Sequence, residues 1–343
     1  MITAEKMFDS LWSQLDKRQC DILAGRFGLN HYDAPQTLAA LGKRHRITRE
    51  RVRQIENGAL RLIKKKASFH PAVVEFVERS KKYFKASGGV AKQEEFLESH
   101  HRYIEHLIEN HLHLLLEALA VFSFYPEDKA YWSFYYSDQA SLGAAKRFLR
   151  EFENFLQPKK EEILSSSNYQ AHFKNFVKTY RIHSAHAETY VKVSKRFHVS
   201  PYGDPGLATW AEIKPITVCD HIYLVLKKEQ KPLHFIDITK LINAKNASKL
   251  ALEPTVHNEL IKDSRFVLVG RGMYGLTEDG YRAGTARQVI QRILAEIGPM
   301  RTREIIDVVQ KERFFKPNTV LVNLQNKNFF TRRTDGTYVI RKK

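Results

Sequence analysis

Four side chains near residue 50 have the chemistry of base recognition. In "TRERVRQIENGALRLIKKK", Thr48 to Lys66, they are Arg49, Glu50, Arg53 and Gln54. Arginine can bond guanine bidentately, glutamine suits adenine, and a carboxylate can accept from the cytosine amino group. Their spacing puts them, with Asn57, on one face of a helix. Val52, Ile55, Ala59 and Leu62 recur at helical spacing on the other.

Such a face works only if flanking elements aim it. Residues 15–66 predict three short helices, "LDKRQCDILAGRFGL", "TLAALGKRH" and the stretch from Thr48. Thr37 and Thr48 each stand where a hydroxyl can cap the first free backbone N–H groups. Glu50 follows Thr48 by two positions and Arg51 by three, so no full capping box is expected. A helix-turn-helix arranged this way sets the start of its last helix against base edges, while hydroxyls and cations fix its register on phosphates. The alternative for these residues is a solvated face of a basic amphipathic helix.

The run "RFGL…TLAALGK…ITRERVRQIENGALRLIKK" resembles region 4 of the primary bacterial sigma factors, which recognises the promoter's upstream (minus 35) element. The resemblance covers Leu15 to about Lys64. It implies that Arg49, Glu50, Arg53 and Gln54 face bases and that Thr37, Lys43, Thr48 and Arg51 lie at or near the DNA backbone. Two positions depart from the family. Arg46 stands in the turn where the family usually has glycine, and Gly58 interrupts the last helix, at a cost of about 1 kcal/mol relative to alanine if exposed. A complete sigma factor also carries aromatic and basic helices that bind the melted promoter strand. Only Met1 to Gln14 precede the module, so a stand-alone sigma factor is not expected.

The 343 residues carry a net charge of +18, and 43% of them are hydrophobic. The charge is uneven: +7 in residues 1–66, +1 in 67–216 and +10 in 217–343. Basic ends around a neutral middle suit two surfaces held near phosphate, because counterion release scales with the phosphates neutralised. No apolar run approaches the roughly 18 residues of a membrane span, and "MITAEKMFDSLW" lacks the order of a signal peptide, so a cytoplasmic, nucleoid-associated location is expected. Cys20 and Cys219 are expected to be buried free thiols. The five histidines of "HHRYIEHLIENHLHLLLEAL" have no paired i, i+4 spacing or adjoining Cys/Asp cluster, and no metal or other cofactor is expected. Without a Walker loop, nucleophile elbow, HExxH or nuclease-type carboxylate cluster, an enzyme is not expected either.

Between residues 67 and 212 the pattern is mostly helical. "AVFSFYPEDKAYWSFYY" breaks it as a hairpin of Val121 to Tyr125 and Tyr131 to Tyr136, its aromatics better suited to a core than to stacking on bases. Helices followed by a hairpin suggest a degenerate winged helix over about residues 85–138.

The C-terminal third contains a repeat. "PTVHNELIKDSRFVLVGRGMYGL" from Pro254 aligns without a gap on "NTVLVNLQNKNFFTRRTDGTYVI" from Asn318. Thr255 matches Thr319, Val256 Val320, Leu260 Leu324, Phe266 Phe330, Gly272 Gly336 and Tyr274 Tyr338. Each copy reads as two helices joined by a proline-containing turn, a third helix capped at Thr255 or Thr319, and a hairpin with glycine at its tip. That is the order of a winged helix, with wing cations Arg265 and Arg271 in one copy and Arg332 and Arg333 in the other. The first copy resembles the HARE-HTH domain, found in the delta subunit of bacterial RNA polymerase, in chromatin proteins and fused to restriction enzymes. The second is similar to a diverged relative. The resemblance implies DNA association without specifying base readers.

The expected fold is mainly α with small β-hairpin wings, as tandem helix-turn-helix and winged-helix domains joined by a helical middle. The expected boundaries are 1–66, 67–140, a spacer at 141–212, 213–284 and 285–343. The expected function is a DNA-binding transcription regulator, with double-stranded DNA as partner and bacterial RNA polymerase as the second candidate. The alternative is an interaction protein that docks on polymerase through the sigma-like module and binds DNA non-specifically.

Overall fold

The structure, a computed structural model, describes residues 2–245, 250–281, 284–312 and 315–341. It is mostly helical with small sheets and divides into two compact units, residues 1–197 and 198–343. The division falls inside the segment read from the sequence as a spacer.

The first unit opens with β1 (Ile2–Thr3) and α1 (Ala4–Trp12), followed by α2 (Lys17–Phe27), α3 (Leu38–His45) and α4 (Arg49–Ala67). Each helix start has a local cause. The side chains of Thr3, Asp16, Thr37 and Thr48 accept hydrogen bonds from the N–H groups of Lys6, Gln19, Ala40 and Arg51. Gln19 answers Asp16 reciprocally, completing a capping box on α2. Gly28 ends α2 in the left-handed region, at φ 64°, and a Cβ there would lie 2.7 Å from the backbone nitrogen of Pro35. Only glycine meets both demands.

Next come α5 (Pro71–Ala86), β2 (Val90–Lys92), α6 (Gln93–His101), β3 (Ile104–Glu105), α7 (Glu109–Leu119), β4 (Ser123–Tyr125) and β5 (Phe134–Tyr136). The antiparallel sheet has the order β2-β5-β4, and β3 pairs in parallel with β1 at the chain's start. One core runs without interruption from Ala4 to Tyr135. Leu112, Leu114, Leu115 and Leu116 of α7 are buried in it, beside Ala59 and Ile63 of α4. The N-terminal helices therefore share a hydrophobic core with the hairpin segment that follows them.

The hairpin's inner aromatics, Phe134, Tyr135 and Tyr136, are buried. Phe124 and Trp132 stay partly exposed, with Lys92 and Lys195 over the Trp132 ring at 5.3 and 4.6 Å. His100 and His111 of this region are packing groups, while His101 and His106 are exposed. His100 is buried, with Nδ1 2.9 Å from the Phe96 carbonyl oxygen and Nε2 3.1 Å from Ser80 Oγ, and His111 stacks on Phe8. Four helices complete the unit: α8 (Gln139–Leu156), α9 (Lys160–Ser166), α10 (Tyr169–Tyr180) and α11 (Ser184–Val193). Phe148, Phe152, Phe173, Phe176 and Tyr190 pack between them. The unit boundary lies in a short hairpin, β6 (Phe197–Val199) and β7 (Pro205–Leu207).

The second unit repeats one order of elements. α12 (Val218–Glu229), β8 (Leu233–His234), α13 (Phe235–Lys245), α14 (Glu253–Lys262), β9 (Phe266–Gly270) and β10 (Met273–Leu276) form one set. The other set is α15 (Ala286–Ile297), β11 (Met300–Arg301), α16 (Thr302–Glu312), α17 (Pro317–Leu324), β12 (Phe330–Arg332) and β13 (Thr337–Ile340). Their sheets have the orders β8-β10-β9 and β11-β13-β12, the connectivity of β2-β5-β4 in the first unit. The aligned apolar pairs are buried in both sets, Val256 and Val320, Leu260 and Leu324, Phe266 and Phe330. Gly272 and Gly336, at φ 67° and 85°, turn the two hairpins.

The expected caps of the third helices need correction. Thr255 and Thr319 lie inside the first turns of α14 and α17, and the cap positions are Leu252 and Lys316, without a side-chain cap bond. Pro254 and Pro317 set these starts, because proline's fixed φ suits the first turn and its missing N–H is not needed there. The cysteines also differ from expectation. Cys20 and Cys219 are free but only half-buried.

Candidate nucleic-acid interface

α4 presents the base-reading candidates. Thr48 Oγ1 accepts from the Arg51 N–H at 3.1 Å, which fixes where the helix starts and leaves Arg49 and Glu50 in its first turn. Arg49, Glu50, Arg53 and Gln54 are all exposed, while Val52, Ala59 and Ile63 are fully buried. The apolar stripe is rotated slightly from the sequence expectation. Ile55 and Leu62 are half-buried, and Ile63 takes the deep position one residue on.

The exposed side chains are organised before any ligand binds. Arg53 donates to both carboxylate oxygens of Glu50, at 2.9 and 2.7 Å. This pairing lowers the Glu50 pKa from the ordinary carboxylate value and raises that of Arg53, hydrogen bonding being the larger cause in each. Arg51 Nη1 donates to Gln54 Oε1 at 3.1 Å. Glu50 and Gln54 thus have partners that a DNA base or phosphate would have to replace. Arg49 projects from the start of the helix.

The turn before α4 contains Arg46 in the left-handed region, at φ 52°. A residue with a Cβ pays for this conformation. The turn is nevertheless closed, by the Arg46 N–H to the Lys43 carbonyl at 3.3 Å and the Ile47 N–H to the Gly42 carbonyl at 2.9 Å. Arg18 Nη2 also donates to the His45 carbonyl at 3.2 Å, and Arg44 lies over the Tyr32 ring at 4.7 Å. At Gly42, an added Cβ would lie 2.8 Å from the Ile47 carbonyl oxygen. The tight approach therefore occurs at Gly42, and the positive φ four residues later falls on Arg46. Lys43 and Thr48 are exposed at this turn and Thr37 at the opposite end of α3, with both threonine hydroxyls engaged in capping.

One element of the site was missed in the sequence. Glu56 reads as part of the polar text "QIENG", yet it is 7% exposed, and Arg26 Nε donates to its Oε1 at 3.1 Å. Arg26 also donates to the Gln36 carbonyl at 3.2 Å, so one guanidinium ties α4 to α2 and to the loop before α3. Asn110 Nδ2 of α7 donates to the Gly28 carbonyl at 2.9 Å. Gln14 bonds to the Leu62 carbonyl and anchors the far half of α4. Glu56 falls on the apolar stripe, four residues from Val52, and that spacing was the available signal. Gly58 sits within unbroken helix with nothing near an added Cβ.

The cations of the two C-terminal hairpins are not equivalent. Arg265 is committed internally. Its Nε lies 3.1 Å from each Asp263 carboxylate oxygen, and its Nη2 is 2.8 Å from Oδ2. Asp263 is consequently held well below the usual carboxylate range, chiefly by these hydrogen bonds. The Cys219 thiol donates to the same carboxylate, and burial with this bond pushes its pKa up to about 11. Arg271, at the tip of the β9–β10 hairpin, is exposed, as are Arg332 and Arg333 on the other hairpin. Lys43, Thr48, Arg49, Glu50, Arg51, Arg53 and Gln54 thus lie at the α3–α4 turn or in the first two turns of α4, while Thr37 caps the opposite end of α3. Arg265 and Arg271, and Arg332 and Arg333, sit in the second unit.

Residues 13–65 match the family described as Sigma-70, region 4, a stretch that contains α2, α3 and nearly all of α4. Over 59 residues the chain is 44% identical to the RNA polymerase principal sigma factor HrdD of Streptomyces griseus, and equally to HrdD of Streptomyces viridifaciens. Each alignment covers 17% of this chain and 18% of the relative, so the chain spans under a fifth of the length of these curated proteins. The likeness is to the helix-turn-helix segment. Among the described residues, no helix is long and apolar enough to cross a membrane, and no group of three His, Cys, Asp or Glu side chains could hold a metal ion.

Proposed function

We propose that the protein is a sequence-reading DNA-binding transcription regulator that works beside bacterial RNA polymerase and binds without catalysing a reaction. The observation that carries this is α4. Arg49, Glu50, Arg53 and Gln54 are exposed on its first two turns, while its opposite face is set into the core, in a segment that matches sigma-70 region 4. A rigid helix with donors and acceptors at its N-terminal end is suited to base edges in a major groove. Arg51, Lys43 and the hydroxyl-bearing Thr37 and Thr48 flank it at positions suited to phosphates.

In this reading the three helix–strand–helix–helix–hairpin units are winged helices, the two in the C-terminal unit being a HARE-HTH-like domain and its diverged copy. Support comes from the shared sheet order and the matched buried positions. Regulation beside polymerase is carried over from the named sigma factors.

The test is in vitro selection of bound duplexes by the full chain at two salt concentrations. A selected motif resembling a promoter upstream element is expected, with Gln54→Ala relaxing one or two of its base pairs. A flat profile with steep salt dependence would leave only general phosphate binding and overturn the proposal.

A further inference from the structure

Three helices occupy the third place of the repeated order of elements: α7, α14 and α17. A third helix in this arrangement can enter a groove only if its outer face is free and carries the right chemistry. The three faces differ.

α7 is enclosed. Six of its residues from Leu112 to Leu119 are buried in the core that also holds α4, and its exposed positions include Glu109 and Glu117, whose charge opposes phosphate. α14 is exposed but acidic and apolar. It carries Glu253 and Glu259, ends at Asp263, and exposes Ile261, with Leu250 and Leu252 bare just before it. Both cations at its C-terminal end are paired, Lys262 with Glu259 at 3.6 Å and Arg265 with Asp263.

α17 is different. "PNTVLVNL" contains no charged residue, and Asn318, Val322 and Gln325 recur at i, i+4 and i+7 through the helix and its C-cap, all exposed. An amide side chain can bond adenine bidentately, and an exposed valine, 66% accessible, offers an apolar contact for a thymine methyl group. Lys316 and Lys327 flank it in the chain, and Arg301, Arg332 and Arg333 lie on or next to the sheet of the same set; all five are exposed, and among the described residues no ion pair engages them. The one nearby wing acid, Asp335, is occupied by the N–H and hydroxyl of Thr337, at 2.9 and 2.7 Å. Charge divides the same way: residues 217–284 carry ten Lys/Arg against eight Asp/Glu, and residues 285–343 carry thirteen against five. The basic excess of the C-terminal third belongs almost wholly to its last domain.

We propose that α17 is a second duplex-DNA reader, with Asn318, Val322 and Gln325 toward base edges and Lys316, Lys327, Arg332 and Arg333 on the backbone, and that α7 and α14 do not enter a groove. This rests on the DNA-binding function proposed above. The full chain then recognises a two-part site, one part through α4 and the other through α17.

The test compares motifs selected by the full-length wild type, by Gln54→Ala, by the triple variant N318A/V322A/Q325A, and by N258A/I261A on α14, each with its thermal unfolding midpoint. The wild type is expected to select two conserved blocks. The α17 triple variant loses one block and about 10- to 100-fold in affinity, Gln54→Ala relaxes the other block, and the α14 variant leaves both. If the triple variant fails to fold, R332S/R333S provides the reading instead, with a salt dependence shallower by about two phosphate contacts. A single block relaxed by Gln54→Ala but untouched by the α17 variants would overturn this inference and leave the parent function standing. An equal loss from the α14 variant would overturn it too. A wild type that selects no motif would overturn the parent function, and this inference with it.

Discussion

Arg26 on α2 and Glu56 on α4 form an ion pair at 3.1 Å whose carboxylate is buried and whose guanidinium is 40% exposed. It is the charged link between the helix that carries the base-reading candidates and the loop before α3. Glu56→Ala would leave Arg26 with the Gln36 carbonyl and the nearby Glu117 carboxylate, and Arg26→Ala would leave the buried Glu56 carboxylate without its hydrogen-bonded cation. The second should cost more, about 1–2 kcal/mol after allowing for the exposure of Arg26. Urea unfolding of both variants checks this. Losses below about 0.3 kcal/mol would show that the pair is incidental.

Glu50 and Arg53 satisfy each other in the free protein. Arg53→Ala releases a carboxylate next to DNA phosphates and should weaken binding more than removal of the arginine's own contact, about 1–3 kcal/mol, would do. The double variant Glu50→Ala/Arg53→Ala should recover part of that loss. A double-mutant cycle on duplex affinity measures the coupling. Additive losses would refute a shared role.

Two positions on or next to α4 are open to stabilisation. Arg46 at φ 52° should gain about 1 kcal/mol on replacement by glycine, which adopts that conformation without strain. Gly58 has room for a methyl group, and Gly58→Ala should gain about 0.5–1 kcal/mol. Unfolding midpoints decide both. A loss at Arg46→Gly would mean that its side chain does more than bear the turn.

His100 is buried and its pKa is lowered, first by desolvation. His111 and His113 are shifted the same way for the same reason. Their folded-state pKa values lie below the unfolded 6.5, so just below that pH the unfolded chain binds more protons. Stability contributed by the neutral imidazoles should therefore be present above about pH 6.5 and be lost as pH falls toward the folded values. Denaturant midpoints between pH 7.5 and 5.5 should show the decline, and His100→Asn should flatten it. An unchanged slope in that variant would place the effect elsewhere.

Much of the candidate face of α4 was legible in the sequence. Helical spacing puts Arg49, Glu50, Arg53 and Gln54 on one face whatever the rest of the chain does, and the threonine caps follow from local hydrogen bonding. The spacing of Glu56 from Val52 marked it for the buried face, but nothing in its neighbours shows that Arg26, thirty residues away, covers it. The starts of α14 and α17, where proline outranked the threonines, were not legible.

By itself, then, the sequence determined the local matters: helix periods, caps, glycine turns, the matched apolar positions of the repeat and the uneven charge. These depend on neighbours within a few residues. Only the tertiary structure decided which faces remain free. α7 lies against α4 in one continuous core, Arg265 is closed onto Asp263, and α17 keeps Asn318, Val322 and Gln325 exposed, in a domain whose exposed cations no ion pair engages among the described residues. Burial and charge pairing join residues that are distant in the chain, and only folding brings them into contact.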